Sequence, residues 1–365
     1  MSAPNPQPGI MDIAPYVGGE SDIDGAQKII KLSSNESALG PSPDAANAFA
    51  DLKAELHRYP DGDCRELRDA IAEVHGVDPT RVVCGAGSDE IISLLCQAYA
   101  GPGDEVLYSR HGFLMYPISA QSVGATPLHA PETDLTADVD ALLDAVTERT
   151  RMVFLANPNN PTGTYLPAPE VARLHAGLRD DILLVIDAAY AEYVGREDYT
   201  AGVELVETSS NVVMTRTFSK IYGLGGMRLG WGYGPPGVVD VLNRIRGPFN
   251  AGAAAQAAGV AAVRDLAFTK RVRDHNDTWL PWTRDRLREL GLSVTDSVGN
   301  FLLVCFGDHP DHGAKAAEKF LKQNAIIVRM MAGYGLPDCL RITVGTENEM
   351  RSVVDALSRF LGKNA

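Results

Sequence analysis

Short runs of apolar and β-branched residues alternate with helical patterns through much of this chain. The runs that predict strands are Val82–Cys84, Glu105–Tyr108, Met152–Ala156, Ile182–Asp187 and Val212–Thr215. The helical patterns between them include Glu90–Ala100, Val139–Ala145 and Pro169–Leu178. This alternation predicts an α/β fold whose mostly parallel sheet is covered by helices on both faces. Because ligands of such sheets bind at the carboxyl ends of the strands, the residues after each strand are the first candidates for function.

The segments on either side of this alternation follow different patterns. Residues 1–34 are expected to form an irregular N-terminal arm that joins the small domain or an interface, with a short strand at Ile29–Leu32. The other predicted elements are helices at Ala45–Leu56, Arg65–His75, Ala253–Val263, Thr269–Leu290, Ala314–Asn324 and Glu347–Leu361, and strands at Phe301–Cys305, Ile326–Val328 and Leu340–Thr343. The sequence therefore predicts a large domain over residues 35–252 and a smaller C-terminal α/β domain over residues 253–365.

Charge and local composition argue against several classes of protein. A net charge of −14 and a pI of about 5.0 make nucleic acid and an anionic membrane surface poor partners. The alanine-rich segment Asn250–Val263 is too short to span a bilayer. The first residues, MSAPNPQPGI, contain neither the basic nor the apolar region of a signal peptide, so we do not expect one there. In so acidic a chain, an anionic substrate would need a local cluster of arginines.

The cysteines are scattered along the chain. Cys64, Cys84, Cys96, Cys305 and Cys339 form no CxxC pair, and their number is odd. This spacing is typical neither of a disulfide framework nor of a zinc site. We therefore expect five reduced thiols in a cytoplasmic protein and no metal.

The segment TRTFSKIYGLGGMRLGW contains one lysine that is a candidate for catalysis. Lys220 lies there between Arg216 and Arg228 and among hydroxyl side chains such as Thr217 and Ser219. A lysine amine forms a Schiff base with an aldehyde, and nearby cations help it to lose its proton. Hydroxyl groups and an arginine suit a phosphate. Together they indicate an aldehyde cofactor that carries a phosphate, which is pyridoxal phosphate. The alternative is a solvated lysine in a turn.

Two loops that follow predicted strands add to this hypothesis. The segment GAGSDE opens a helix after Val82–Cys84, and the free N–H groups at a helix start suit a phosphate. The alternatives are a dinucleotide loop or a plain tight turn. Glu90 stands where a dinucleotide fingerprint has its third glycine, which argues against a nicotinamide dehydrogenase. The segment NPNNPTG, residues 157–163, is a rigid turn that could hold an asparagine amide against a ligand oxygen, or a plain loop.

Asp187 ends the apolar run that predicts the fourth strand. A carboxylate is costly to bury unless it meets a cation, and the protonated pyridine nitrogen of pyridoxal phosphate is such a cation. An ion pair there would keep the ring an effective electron sink. Tyr190 follows three residues later and could reach the phenolic oxygen of the ring. The alternative for Asp187 is a helix cap.

The chain resembles the fold-type-I pyridoxal-phosphate aminotransferases in four segments. In chain order these are GAGSDE, NPNNPTG, DAAY, and TFSK followed by seven residues and an arginine. The similarity is greatest to the histidinol-phosphate aminotransferase branch, and it runs from NESALGPSP through RYPDGD to RITVGT. The resemblance implies a large cofactor-binding domain, a smaller C-terminal domain, and a homodimer with shared active sites.

The resemblance also implies roles for individual residues at the cofactor. Lys220 would hold the cofactor covalently, and Asp187 would pair with its pyridine nitrogen. Asn160 and Tyr190 would bond its O3′ atom, and Tyr116 would stack on its ring. The residues implied for its phosphate are Gly87, Ser88, Asp89, Thr217, Ser219 and Arg228.

Other roles concern the substrate and the partner chain. Arg341 resembles the arginine that clamps the substrate α-carboxylate, and Arg329, Tyr16 and Asn35 fall at substrate-side positions. Tyr59 resembles the tyrosine that reaches the phosphate in the neighbouring subunit, although its own surroundings are equally typical of a surface tyrosine.

The implied reaction transfers an amino group from a small-molecule donor to 2-oxoglutarate, with Lys220 as general base and then acid. Histidinol phosphate is the expected donor, and an aromatic or broad range of amino acids is the alternative. A decarboxylase or lyase on the same scaffold is a further possibility. A ligand-sensing module of a transcription regulator would need a DNA-binding extension, for which residues 1–30 are too short and carry too little charge.

Overall fold

The computed structural model describes residues 4–7, 9–25, 28–55, 57–307 and 311–363. The helices are α1 Pro43–Asp51, α2 Arg65–His75, α3 Ser88–Tyr99, α4 Met115–Ser122, α5 Val139–Asp144, α6 Ala168–Gly177, α7 Val203–Thr208, α8 Pro236–Ile245, α9 Ala253–Arg264, α10 Leu266–Glu289, α11 Ala314–Gln323 and α12 Glu347–Phe360. The strands are β1 Ile30–Lys31, β2 Val82–Gly85, β3 Glu105–Ser109, β4 Thr126–Ala130, β5 Glu132–Thr133, β6 Thr136–Ala137, β7 Thr150–Ala156, β8 Leu183–Asp187, β9 Val212–Thr217, β10 Gly230–Tyr233, β11 Ser293–Val294, β12 Phe301–Cys305, β13 Ile326–Ile327, β14 Arg329–Met330 and β15 Cys339–Thr343.

A seven-stranded sheet with the order β2-β10-β9-β8-β7-β3-β4 forms the large domain. The pairs β7–β8 and β8–β9 are parallel, and β10 runs antiparallel to both of its neighbours. Along β8, Leu184 and Ile186 enter the core on one face of the sheet, while Leu183 and Val185 enter the core on the other. Apolar side chains on both faces are buried because helices cover both, so the predicted α/β fold with a mostly parallel sheet is confirmed.

Two strands of this sheet were not predicted. β4 contains Pro127, which an edge strand tolerates because one side of its backbone needs no partner. β10 reads GWGY, and a Cβ atom on Gly230 would lie only 2.3 Å from the backbone nitrogen of Ser88. The glycine therefore allows a close approach of two backbones beside the start of α3, which a strand pattern in the sequence does not reveal.

The small domain is built on the antiparallel sheet β11-β12-β15-β14, with its own buried core. Ile30 of the N-terminal arm pairs in parallel with Ile326. Helix α9, which was predicted to begin the small domain, instead packs against α1 and α2, and its alanines lie in the core of the large sheet. Since α10 contributes Val272 to the large core and Leu287 to the small one, we propose a boundary within α10.

Cys305 and Cys339 form a disulfide, so the prediction of five reduced thiols is wrong for this pair. The two residues face each other directly on β12 and β15, with Cα atoms 4.1 Å apart. Only the register of the sheet brings them together, because a separation of 34 residues matches no cysteine motif. Cys64, Cys84 and Cys96 are free and buried.

Across the described ranges, no three or more His, Cys, Asp or Glu side chains are grouped so that they could hold a metal ion. A helix of the length and apolarity needed to cross a membrane is likewise not found in those ranges.

Candidate active site

A cavity of about 200 Å³ lies where the strand ends of the large sheet face the small domain and the N-terminal arm. Most of the predicted site residues line it. They are Tyr16, Asn35, Ser88, Asp89, Asn160, Asp187, Tyr190, Thr217, Ser219, Lys220, Arg228, Arg329 and Arg341. The loops after β2, β7, β8 and β9 supply most of this wall, as the rule for ligand sites in parallel sheets predicts.

Lys220 follows the end of β9 and turns its amine into this cavity. Nζ donates a hydrogen bond to the Ser34 carbonyl at 3.2 Å and lies 5.7 Å from the centre of the Tyr190 ring. Burial and the nearby positive charge of Arg341 lower the pKa of Lys220 to about 8. The amine therefore loses its proton more readily than a solvated lysine, as attack on an aldehyde requires.

Asp187 is buried at the carboxyl end of β8. Its Oδ1 accepts a hydrogen bond from Thr215 at 3.1 Å, and its Oδ2 accepts one from Tyr116 at 2.8 Å. Burial raises the pKa of Asp187, although these two hydroxyl groups act in the opposite direction. A buried carboxylate aimed at a cavity is suited to a cationic ring nitrogen, since the ion pair would offset the cost of its burial.

Tyr116 lies behind Asp187 and not in the wall of the cavity. It is fully buried, and its ring stacks on Phe154 with centroids 4.5 Å apart. The aromatic side chain that lines the cavity in this region is that of Phe113. The structure therefore does not support the predicted stacking of Tyr116 on the cofactor, because α4 begins at Met115 and carries Tyr116 into the core. The segment GFLMYP offered two aromatic residues, and its pattern could not distinguish them.

Helix α3 directs its first turn at the opposite end of the cavity. Gly87 precedes this helix with φ of 91°, and a Cβ atom there would lie 2.6 Å from Nη2 of Arg228. Arg228 donates to Asp89 at 2.8 Å and to the Ser219 hydroxyl at 3.4 Å. Free N–H groups, a hydroxyl and a guanidinium thus converge on one point, which suits a phosphate.

Glu90 replaces the third glycine of the dinucleotide fingerprint and braces this loop from inside. Its Oε2 accepts from the backbone N–H of Ala86 at 2.6 Å and from Asn250 at 2.8 Å. The loop is therefore not a plain tight turn. It is also not a dinucleotide loop, because that loop needs a glycine at the position of Glu90 for close packing of helix and strand.

Two arginines of the small sheet line the part of the cavity where the substrate was predicted to bind. Arg341 lies opposite Arg329 in the β14–β15 register. Its Nη1 donates to Asn160 Oδ1 at 2.6 Å and its Nη2 donates to the Ser33 carbonyl at 2.8 Å. Its Nε is buried and has no hydrogen-bond partner in the part of the chain that the structure describes. An oxyanion could accept this unused N–H.

Arg329 holds the N-terminal arm over the cavity. Its Nη2 donates to the Val17 carbonyl at 2.6 Å, and its guanidinium lies 5.9 Å from the centre of the Tyr16 ring. These contacts place both predicted residues at the mouth of the cavity, next to Arg341.

The side-chain amide of Asn160 has a protein partner at one end only, among the described residues. Its Oδ1 is taken by Arg341, while no acceptor among the described residues takes its Nδ2. The amide N–H group therefore remains to donate into the cavity, as a contact with a phenolic oxygen requires. The two peptide bonds Asn157–Pro158 and Asn160–Pro161 on either side of this turn are cis.

Tyr59 lies outside the cavity of its own chain. It is 83% exposed, and its ring stacks on Phe249 with centroids 4.7 Å apart. Its contact with a partner subunit stays a prediction.

Comparison with known proteins settles the family. Residues 27–357 match the family model described as aminotransferase class I and II. The chain belongs to this family. This aminotransferase is 63% identical over 362 residues to the histidinol-phosphate aminotransferase of Paramagnetospirillum magneticum, covering 99% of this chain and 100% of that one. It is 59% identical over 358 residues to that of Rhodospirillum rubrum, covering 98% and 97%.

Solved structures agree with this assignment. The crystal structure of histidinol-phosphate aminotransferase from Sinorhizobium meliloti in complex with pyridoxal-5′-phosphate superposes with a TM-score of 0.91 at 28% identity, covering 99% of each chain. An aspartate aminotransferase of Thermus thermophilus, with a TM-score of 0.80 at 22% identity, shares the fold. The resemblance found in the motifs is thereby confirmed.

Some functional groups of this aminotransferase had no signal in the sequence. The carbonyls of Ser33 and Ser34 receive the hydrogen bonds of Arg341 and Lys220, and a backbone carbonyl leaves no trace in residue type. Phe113 is an ordinary aromatic residue in a loop, so only its position in the cavity wall marks it.

Proposed function

We propose that this aminotransferase binds pyridoxal 5′-phosphate and transfers the amino group of L-histidinol phosphate to 2-oxoglutarate, as a cytoplasmic enzyme of histidine biosynthesis. The observation that carries this proposal is the pair Arg329 and Arg341, in register beside an unused buried N–H, at the end of the cavity opposite the phosphate-binding turn. The relatives named above, at 59% and 63% identity, support the same donor.

The chain's residues fit the cofactor group by group. The Asp187 carboxylate would accept a hydrogen bond from the protonated pyridine nitrogen, and the side chains of Asn160 and Tyr190 would donate to O3′. The α3 start, Ser219 and Arg228 take the phosphate. When bound, the cofactor supplies the electron sink that stabilises negative charge at the substrate α-carbon.

Lys220 performs the proton transfers. With the cofactor bound, the Lys220 amine would accept the proton of the donor α-carbon as general base and would then donate it back as general acid. The depressed pKa of Lys220 suits this double role, because the amine exchanges protons near neutral pH. Phe113 lines the cavity, where its apolar ring would limit the access of water to the reacting atoms.

The arginine pair serves both halves of the reaction. The phosphate of histidinol phosphate is tetrahedral and a carboxylate of 2-oxoglutarate is planar. A guanidinium can bind either oxyanion with two parallel hydrogen bonds. Because donor and acceptor bind in turn, the same two side chains can receive each of them.

A comparison of donors tests this function. With 2-oxoglutarate as acceptor, we expect kcat/KM for L-histidinol phosphate to exceed that for L-histidinol by about 10²-fold or more, since the arginines lose their charged partner. L-Phenylalanine, L-tyrosine and L-aspartate complete the panel. A clear preference for phenylalanine or tyrosine would instead support the aromatic aminotransferase, and failure of 2-oxoglutarate as acceptor would contradict the proposal.

The variant Arg341→Lys tests whether Arg341 binds the phosphate of the donor. The planar fork is lost, so kcat/KM should fall by about 10²-fold for histidinol phosphate and for 2-oxoglutarate. The decrease for L-histidinol, which has no phosphate, should be much smaller. Arg351→Lys, in an exposed pair with Glu347 on α12, is the matched control. Equal decreases for the two donors would mean that Arg341 only supports the structure.

We propose further that the enzyme is a homodimer in which Tyr59 reaches the cofactor phosphate of the partner subunit. The support is the exposed aromatic pair Tyr59 and Phe249, whose rings stack on each other and which are 83% and 44% exposed. Large exposed aromatic side chains near one another are typical of interfaces. In a closed two-fold dimer, each chain would complete the site of the other.

Subunit mixing tests the role of Tyr59. A Lys220→Ala chain and a Tyr59→Phe chain are exchanged, so that a hybrid dimer contains one site with both Lys220 and a tyrosine from the partner. We expect activity per intact lysine to rise above that of the Tyr59→Phe homodimer. A mixture of Lys220→Ala and wild-type chains controls for exchange. If hybrids form and activity per lysine does not rise, Tyr59 does not act across the interface.

A further inference from the structure

Asn35 is buried between the small sheet and the cofactor side of the cavity. It is 1% exposed and has φ of 54°, in the left-handed region that asparagine tolerates. Its Nδ2 donates to the Tyr190 hydroxyl at 2.8 Å, and its Oδ1 accepts from the Thr343 hydroxyl at 3.1 Å. The backbone is also held, because its N–H donates to Thr343 Oγ1 at 2.9 Å and its carbonyl accepts from Asn300 at 3.1 Å.

The direction of the bond to Tyr190 is determined by chemistry. An amide NH₂ group can only donate, so the Tyr190 oxygen is the acceptor. The hydroxyl hydrogen of Tyr190 is then available for another acceptor. The Tyr190 ring packs edge-on against Phe301 with centroids 5.1 Å apart, and Tyr190 lines the cavity. The hydroxyl hydrogen can therefore point into the cavity.

The charged groups around Tyr190 do not turn it into a phenolate. Burial raises its pKa most strongly, and Asp187 and Tyr334 add to the increase. Arg341 and the hydrogen bond from Asn35 act in the opposite direction, while the Lys220 amine lies 5.7 Å from the ring. Tyr190 therefore keeps its proton and can act as a donor.

Thr343 connects this hydrogen bond to the substrate side. On β15, Arg341 and Thr343 are two residues apart and so share the face toward the cavity, whereas Leu340 and Ile342 lie in the core of the small domain. A continuous path of hydrogen bonds thus runs from the strand of the substrate arginine through Thr343 and Asn35 to Tyr190.

We infer that Asn35 is a positioning residue that orients the Tyr190 hydroxyl, so that Tyr190 donates to O3′ of the cofactor, and that it replaces the substrate contact predicted for this position. Both ends of its side chain already have protein partners, which the substrate role would require to be free. The inference rests on the proposed binding of pyridoxal phosphate.

The isosteric change Asn35→Asp removes the donor and supplies an acceptor. The Tyr190 hydrogen then turns toward residue 35 and away from the cofactor. A hydrogen bond to O3′ stabilises negative charge on that oxygen. The oxygen then has a lower affinity for the proton that it shares with the Lys220 nitrogen. Its loss should therefore raise, by about one pH unit, the midpoint of the pH-dependent visible absorbance of the substrate-free holoenzyme. Tyr190→Phe should raise the midpoint by a similar amount.

A double-mutant cycle separates orientation from charge. In the Tyr190→Phe background, Asn35→Asp should add little further shift, because the hydroxyl through which it acts is absent. A shift as large as in the wild-type background would assign the effect to the new carboxylate and overturn the inference. Asn276→Asp, at another buried asparagine on α10 that donates to the Gly299 carbonyl, is the matched control and should leave the midpoint unchanged.

Asn35→Gly provides a second variant that keeps the left-handed backbone and removes the side chain. It should raise the midpoint by a smaller amount, and an unchanged midpoint would contradict the inference even if the aspartate variant does not fold. Absence of any visible absorbance in the wild-type protein with added pyridoxal phosphate would contradict the proposed function instead. A visible absorbance whose midpoint none of these variants moves would contradict only the role of Asn35.

Discussion

Replacing Lys220 with alanine is expected to abolish turnover and the covalent attachment of the cofactor. Proton transfer by a positioned side chain accounts for up to about 10⁴-fold in rate, and Lys220 is placed to make both transfers. Borohydride reduction of the wild-type holoenzyme followed by peptide mapping should find the cofactor on Lys220. The variant should bind the cofactor without that bond.

The pH dependence of cofactor uptake adds a second measurement. Only the neutral amine attacks an aldehyde, and the pKa of Lys220 is lowered to about 8. The rate at which the apoenzyme gains visible absorbance from added pyridoxal phosphate should therefore rise with pH up to about 8 and level off above it. Lys270→Ala, in an exposed pair with Asp274, is the control and should behave as the wild type. Attachment of the cofactor to another lysine would refute the assignment.

Replacing Asp187 with asparagine is expected to have the next largest effect. The shape is preserved, but the charge that faces the pyridine nitrogen is removed, and the ring becomes a weaker electron sink. By analogy with other preorganised electrostatic contacts, kcat should fall by about 10²- to 10³-fold. The affinity for the cofactor should decrease by a smaller factor than kcat, because the phosphate contacts and Lys220 are unchanged.

Asp240→Asn provides the comparison, since Asp240 forms an exposed pair with Arg244 on α8, away from the cavity. Stopped-flow measurement of the half-reaction with histidinol phosphate separates the chemical step from product release. Near-normal rates in the Asp187 variant would mean that its carboxylate only receives the hydrogen bonds of Tyr116 and Thr215.

Features with a local physical cause could be read from the sequence. The alternation of apolar runs with helical patterns defined the large sheet, because burial on both faces demands continuous apolar strands. Asp187 was identifiable because it ends an apolar strand, and Lys220 because hydroxyl groups and arginines surround it in the sequence. The glycine-rich and proline-rich loops beside them carry residue types that turns and helix starts require.

Contacts between distant segments were decided only by the tertiary structure. Phe113, and not Tyr116, faces the cavity because of where α4 begins. Cys305 meets Cys339 through the register of two strands, and Asn35 meets Tyr190 although 155 residues separate them. A sequence pattern reports the burial and the turn preference of a residue but not its partner, since the partner is determined by how separate elements pack against each other. The sequence by itself therefore determined the family of fold and the chemistry of Lys220, while packing decided which side chains orient that chemistry.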